Sequence, residues 1–256
     1  MTPDLVRTLI LGGTTEARRL GARLAQARRF DVTLSLAGRT RAPVDQGVPT
    51  RIGGFGGADG LARHLVETRV DLLVDATHPF AARISANAVA AATATGVPLL
   101  ALRRPAWTWA PGDRWIDADS VAEALDHVGA APRRLFVALG RQELEPLEAA
   151  PQHRYLVRSV DPVEPPLRVP HAAYLLDRGP FDVEAETALF ERHGIEAVLA
   201  KNSGGAASRA KIDAARRLGL PVHLVRRPPA SGPSLDTVEA LLAAIDHRFP
   251  PTDRGE

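Results

Sequence analysis

The stretch Leu5-Val6-Arg7-Thr8-Leu9-Ile10-Leu11-Gly12-Gly13-Thr14-Thr15-Glu16-Ala17 decides the fold. Leu5–Leu11 is a short, mainly apolar run of the kind that forms a buried strand. Two glycines stop it, and a helix is expected over roughly Thr15–Arg28. Strand, glycine turn and helix in that order open a βαβ unit, and such units build parallel sheets. Glycines at this junction let the backbone approach a ligand, and the first helical turn offers N–H groups to a phosphate. Thr14 and Thr15 add hydroxyl donors. Gly-Gly-Thr-Thr-Glu is not the full G-x-G-x-x-G fingerprint of dinucleotide folds. Glu16 cuts both ways: an acid in the first turn favours the helix dipole, yet it repels a pyrophosphate placed too close. A tight turn with an N-cap in any α/β protein has the same appearance.

The rhythm continues outward. Strands are expected at 31–37, 71–77 and 97–102, with a short glycine-rich strand or loop at 51–57. Helices are expected at 60–68 and 80–95, the second closed by Gly96 at the position a C′ glycine takes. Residues 103–118, with three arginines, two prolines and all three tryptophans, break the pattern and mark the connection to a second lobe. There, strands are expected at 133–139, 155–160, 173–176, 197–200 and 221–225. Helices fall at 120–128, 182–193, 208–218 and 235–247, with a short one near Gln142–Glu148. Four prolines make 161–170 a loop. The expected architecture is two Rossmann-like, doubly wound parallel-sheet α/β lobes, residues 1–115 and 116–256, with an inter-lobe cleft. The C-terminal helix is free to pack back on the first lobe.

Composition narrows the function. A chain of 256 residues exceeds the usual single domain of ~150. At 45% apolar and 24% charged it has ordinary globular usage. Apolar runs stay far below the ~20 residues of a bilayer span, and no signal peptide is visible at the N-terminus. The expectation is a cytoplasmic enzyme with no membrane partner. The absence of cysteine removes disulfides, thiolate nucleophiles and cysteine metal sites. Net charge is only +2, the arginines are dispersed and aromatics are 5%, so no nucleic-acid footprint is present. Of the 32 basic residues 30 are arginine; the two lysines, Lys201 and Lys211, fall ten residues apart in one segment.

Three further segments carry chemistry. Ala37-Gly38-Arg39-Thr40-Arg41 ends the second strand, where dinucleotide folds meet the adenine-side ribose. An acid there suits a free 2′-hydroxyl; Arg39 and Thr40 suit a 2′-phosphate, so NADPH is favoured over NADH if a dinucleotide binds. Asp75-Ala76-Thr77-His78-Pro79-Phe80-Ala81 sits at the C-terminal end of a buried strand, where ligands of open α/β sheets bind. Beside Asp75 and Thr77, and fixed by the following proline, His78 is a stronger functional candidate than most of the histidines, and no second histidine or carboxylate partner there completes a metal site. Lys201-Asn202-Ser203-Gly204-Gly205 follows another buried strand and has the make-up of an anion cradle: glycine backbone, hydroxyl, amide and a mobile cation. It is not a Walker loop, because the lysine precedes the glycines. Arg141, after Val137-Ala138-Leu139-Gly140, is a further candidate for anionic groups.

Leu11–Ala17, Ala37–Thr40, Asp75–Ala81 and Lys201–Gly205, in this order, resemble the precorrin-6A reductase family of cobalamin biosynthesis, and the likeness runs from Leu5 to about Leu224. The resemblance implies NADPH-dependent reduction of one double bond of the precorrin-6A macrocycle to precorrin-6B. It implies two α/β lobes with cofactor and substrate in the cleft between them, and leaves open whether the tetrapyrrole substrate carries cobalt. Gly12, Gly13, Thr14 and Thr15 are then expected at the pyrophosphate, with Arg39 and Thr40 at the 2′-phosphate, and Asp75 and Thr77 are also expected at the cofactor. His78 is expected at the substrate and becomes the candidate proton donor. Arg141, Lys201, Asn202, Ser203 and Gly204 are expected to meet the many carboxylates of the substrate. One chain can build such a cleft alone, so a monomer suffices. Two rivals are another NADPH-dependent reductase on the same scaffold and a non-catalytic dinucleotide-binding protein; no Tyr-x-x-x-Lys pair supports the first.

Overall fold

Strands and helices alternate along residues 5–38 and 45–250, the part of the chain that the computed structural model describes. The first sheet holds β1 (Val6–Leu11), β2 (Phe30–Leu36), β3 (Thr50–Ile52), β4 (Leu72–Asp75) and β5 (Leu99–Ala101). All its pairings are parallel, and the order is β3-β2-β1-β4-β5. Leu11 lies level with Ser35 on one side and Asp75 on the other, so the C-terminal strand ends line up. Alternation along the strands explains the two-sided packing. Ile10, Leu34 and Val74 share a buried cluster with Leu20 and Leu24 of α1 (Thr15–Gln26). Leu9, Leu11 and Leu73 share another with Leu61 and Leu65 of α2 (Ala58–Glu67) and Ala88 and Ala92 of α3 (Ala82–Thr95). Gly96 ends α3 in the left-handed conformation, φ 73°.

The second sheet holds β6 (Trp115–Ala118), β7 (Arg134–Ala138), β8 (Arg154–Ser159), β9 (Ala172–Leu176), β10 (Ala197–Lys201) and β11 (Val222–Val225). It too is all parallel, in the order β6-β11-β10-β7-β8-β9. Read from β7 onward, the five strands repeat the order of the first sheet, and β6 is added beyond β11. Its helices are α4 (Val121–Val128), α5 (Val183–His193) and α6 (Ala210–Arg217). Two corrections to the sequence reading follow. Trp115–Ala118 belongs to the sheet and not to a connection. The helix expected near Gln142–Glu148 is a pair of 3-10 turns, Arg141–Glu143 and Glu145–Ala149; proline at 146 supplies no amide donor to continue a helix begun at Arg141.

The chain divides into two compact units, Met1–Arg104 with Pro228–Glu256, and Pro105–Arg227. The boundary expected at 115/116 therefore lies at 104/105, because Trp107 is part of the second unit's core beside Phe136, Ile212 and Leu224. The chain then returns. α7 (Val238–Arg248) buries Val238, Leu241 and Ile245 against Leu20 and Leu24 of the first unit. The bridge between Leu102 and Leu235 leads into it.

Candidate functional site

In open parallel sheets, ligands bind at the C-terminal strand ends where the strand order reverses. Each unit has one such point: between β1 and β4 in the first, and between β7 and β10 in the second.

At the first point the chain leaves β1 through Gly12 and Gly13. Gly12 donates its N–H to the Ser35 carbonyl at 2.9 Å, and a Cβ on it would press Leu34 Cδ2 at 2.9 Å. Gly13 has φ +109°, and among the described residues other than its chain neighbours no atom lies within 4 Å of where its Cβ would stand. Thr14 caps α1: its hydroxyl accepts from Ala17 N at 3.1 Å and donates to the Ala76 carbonyl at 2.8 Å, tying the β1 turn to the end of β4. Among the described residues no acceptor meets the amides of Gly13, Thr14 and Thr15. An open glycine and free amides at a helix N-terminus form a cradle that fits a phosphate. Glu16 is held by Arg104 Nη1 at 2.9 Å, which offsets its charge beside that cradle. Arg104 lines a small depression there with Thr14, Thr77 and Pro79.

Asp75 is buried, and its Oδ1 accepts from Thr77 N at 3.1 Å and Thr77 Oγ1 at 2.6 Å. Both residues thus shape the turn after β4. His78 Nδ1 accepts from Phe80 N at 3.3 Å; an accepting Nδ1 assigns the proton of the neutral ring to Nε2. Arg39 and Thr40 lie outside the described residues. Arg51, level with Ser35, donates to the carbonyls of Gly53 and Gly54 at 2.6 and 2.8 Å and stacks 3.9 Å from the Phe55 ring centre.

At the second point Lys201 ends β10, and its ammonium lies 2.5 Å from Glu143 Oε2. The same oxygen accepts Gly140 N at 2.9 Å, at the turn after β7. Ser203 N closes a tight turn onto the Lys201 carbonyl at 2.7 Å. The rest of the loop departs from the expected cradle. Asn202 spends its amide on Trp107, accepting from its N at 2.8 Å and donating to its O at 3.0 Å. Gly204, φ +64°, sits where a Cβ would fall 2.0 Å from the Pro105 carbonyl oxygen. Both hold 105–107 in the second unit. Arg141 turns to Asp161 at 3.5 Å and to the Pro162 carbonyl at 3.3 Å. Lys211, the other lysine, is buried on α6 with its ammonium on the Ser208 carbonyl, 5.1 Å from the Trp107 ring centre.

Sequence reasoning thus found both strand-end loops and missed three residues that the geometry brings in: Glu143, Arg104 and Trp107. The tryptophan cluster was the available signal for the last; Glu143 had none beyond its distance of two residues from Arg141. Among the described residues no three His, Asp or Glu side chains gather as metal ligands, and no helix is long and apolar enough to cross a membrane.

Residues 7–246 match the family described as Precorrin-6x reductase CbiJ/CobK. A precorrin-6A reductase of Sinorhizobium sp is 55% identical over 246 residues, covering 96% of this chain and 94% of that one. A cobalt-precorrin-6A reductase of Priestia megaterium is 28% identical, covering 93% and 97%. Among solved structures, CobK precorrin-6A reductase superimposes with a TM-score of 0.91 at 48% identity, over 98% of this chain and all of the other.

Proposed function

The chain belongs to the Precorrin-6x reductase CbiJ/CobK family, and from that premise we propose which of its residues hold cofactor and substrate. It is an oxidoreductase that reduces precorrin-6A in cobalamin biosynthesis, so it takes a tetrapyrrole substrate and a nicotinamide cofactor. We infer that the cofactor is NADPH and that its pyrophosphate lies on Gly12, Gly13, Thr14 and Thr15. The observation that carries this reading is the open, positive-φ Gly13 turn with its unengaged amides at the N-terminus of α1. Arg39 and Thr40 are assigned to the 2′-phosphate on sequence grounds. Asp75 and Thr77 act through the backbone turn they set, and Arg104 keeps Glu16 from repelling the phosphates.

When bound, the cofactor supplies a hydride to one double bond of the macrocycle. His78, at the same strand end, is assigned the companion proton transfer, for which its ring must be the imidazolium. Lys201 and Ser203 are assigned to substrate carboxylates. The substrate is proposed to be the cobalt-free macrocycle, a reading supported by 55% identity to a precorrin-6A reductase against 28% to a cobalt-precorrin-6A reductase.

Anaerobic oxidation of NADPH and of NADH, each with precorrin-6A and with its cobalt complex, tests these assignments together. NADPH and the metal-free substrate are expected to support the faster turnover. Arg39→Ala is expected to raise the KM for NADPH about tenfold or more, the scale of one charge-assisted hydrogen bond, with little change for NADH. Equal changes for both cofactors would remove Arg39 from the 2′-phosphate.

A further inference from the structure

We propose that Glu143 is a built-in surrogate for a substrate carboxylate, occupying the anion position of the second switch point until the tetrapyrrole displaces it. The proposal rests on the assignment of Lys201 to substrate carboxylates and adds the residue that controls access to it.

The two switch points share one strand order but are filled differently. In the first, the amides of Gly13, Thr14 and Thr15 meet no protein acceptor among the described residues. In the second, the turn amide after β7 and the ammonium at the end of β10 converge on a single oxygen, Glu143 Oε2, at 2.9 and 2.5 Å. One backbone donor and one cation on one carboxylate oxygen is the coordination that an incoming acetate or propionate side chain would need. Gly140 makes room for it: a Cβ there would stand 2.8 Å from that oxygen.

Exposure sets the order of exchange. The Lys201 side chain is 13% exposed and that of Glu143 is 34%. The carboxylate therefore has water to turn into, while the ammonium has far less. A partly buried lysine is costly unless its charge is met, and Glu143 meets it in this structure. A ligand carboxylate then replaces like with like, and the charge on the pair is unchanged before and after. The exchange needs only side-chain rotation at the end of a single 3-10 turn whose next residue, Leu144, is buried and fixed. Substrate affinity at this point is consequently a difference between two carboxylates. A macrocycle without a carboxylate in reach cannot open the pair at all.

The test is the equilibrium dissociation constant of precorrin-6A, measured anaerobically by its absorbance change, with the full-length protein and no nicotinamide cofactor. Glu143→Gln keeps the shape and an acceptor for Gly140 while removing the competing charge, and is expected to tighten binding about tenfold. Lys201→Met is expected to weaken it, and Lys201→Arg to retain most of it. Adding Glu143→Gln to Lys201→Met should then give no tightening, because no cation remains to be unmasked. Unchanged or weaker binding by Glu143→Gln, with Lys201→Met still weakening it, overturns the surrogate and leaves the lysine assignment standing. Unchanged binding by Lys201→Met removes the loop from the substrate, and the surrogate with it. Should Lys201→Met fail to fold, Glu143→Gln against Lys201→Arg carries the same decision. A purely structural ion pair would lower the unfolding temperature of Glu143→Gln without tightening the ligand.

Discussion

Gly13 and Gly204 both adopt positive φ, at +109° and +64°, for opposite reasons. Around Gly13 there is space, and around Gly204 there is the Pro105 carbonyl. Only the second is dictated by contact with its own chain. Gly204→Ala combines an unfavourable backbone region with a clash against main chain, so a loss of about 2–4 kcal/mol is expected. Thermal unfolding followed by tryptophan emission reports it directly, since Trp107 Nε1 is bonded to the neighbouring Gly205 carbonyl at 2.8 Å. An unchanged midpoint would mean that the 105–107 segment yields. This contrast marks where residue-level reading of the sequence stops. Glycine, asparagine and lysine after a buried strand name a place where a ligand can sit. They do not say which of their groups the chain has already engaged: Asn202 is occupied by a segment 95 residues away, and no local pattern encodes that. The turn at Gly12 and Gly13 and the cap at Thr14 were legible because a strand, two glycines and a threonine before a helix have a local pattern; the bonds of Gly12 to Ser35 and of Thr14 to Ala76 were not.

Elements were legible in proportion to their periodicity. The long amphipathic helices and the apolar strands stand near their expected positions. β6 was hidden because four residues at a sheet edge, directly after a stretch of prolines and tryptophans, carry too little alternation to separate strand from connection. Its neighbour β11 carries a consequence for stability. His223 lies inside that strand at 3% exposure, and Nδ1 has no partner among the described residues. Burial, with His127 of α4 and Arg133 adding repulsion, pushes its pKa down to about 4. The unfolded chain takes up this proton near pH 6.5 and the folded one only near pH 4, so the unfolded state binds more protons in between. Stability is therefore complete above about pH 6.5 and declines as pH falls toward 4, by up to roughly 3 kcal/mol. Urea unfolding at pH 7 and pH 5 should show this decline in the parent protein. His223→Leu should flatten it, with other carboxylates contributing equally to both. Equal slopes would show that the histidine finds a partner when protonated.

At the scale of the whole molecule, the first unit is discontinuous in sequence: β1 to β5 and α7 enclose the 123 residues of the second. Val238, Leu241 and Ile245 are 4%, 0% and 0% exposed in the first unit's core. Side chains of this size contribute about 1.5–3 kcal/mol each on full burial, a sum comparable with the whole stability of a domain. A chain ended at Arg227 is accordingly expected to lose hydrogen-exchange protection of the β1 amides. The cooperative transition in tryptophan emission should persist, because Trp107, Trp109 and Trp115 all lie in the second unit. Full protection of β1 in the shortened chain would demote α7 to a surface attachment. The sequence rhythm announced two parallel sheets, yet a return of the chain to its first sheet is a long-range property that only packing reveals. It also inverts the calendar of synthesis. On the ribosome the second unit has all its strands once residue 225 has emerged, while the first still lacks the helix that covers α1. The half of the enzyme that is begun later is thus the first to have all its parts, and the Gly12–Thr15 turn, written among the earliest residues, belongs to the half completed last.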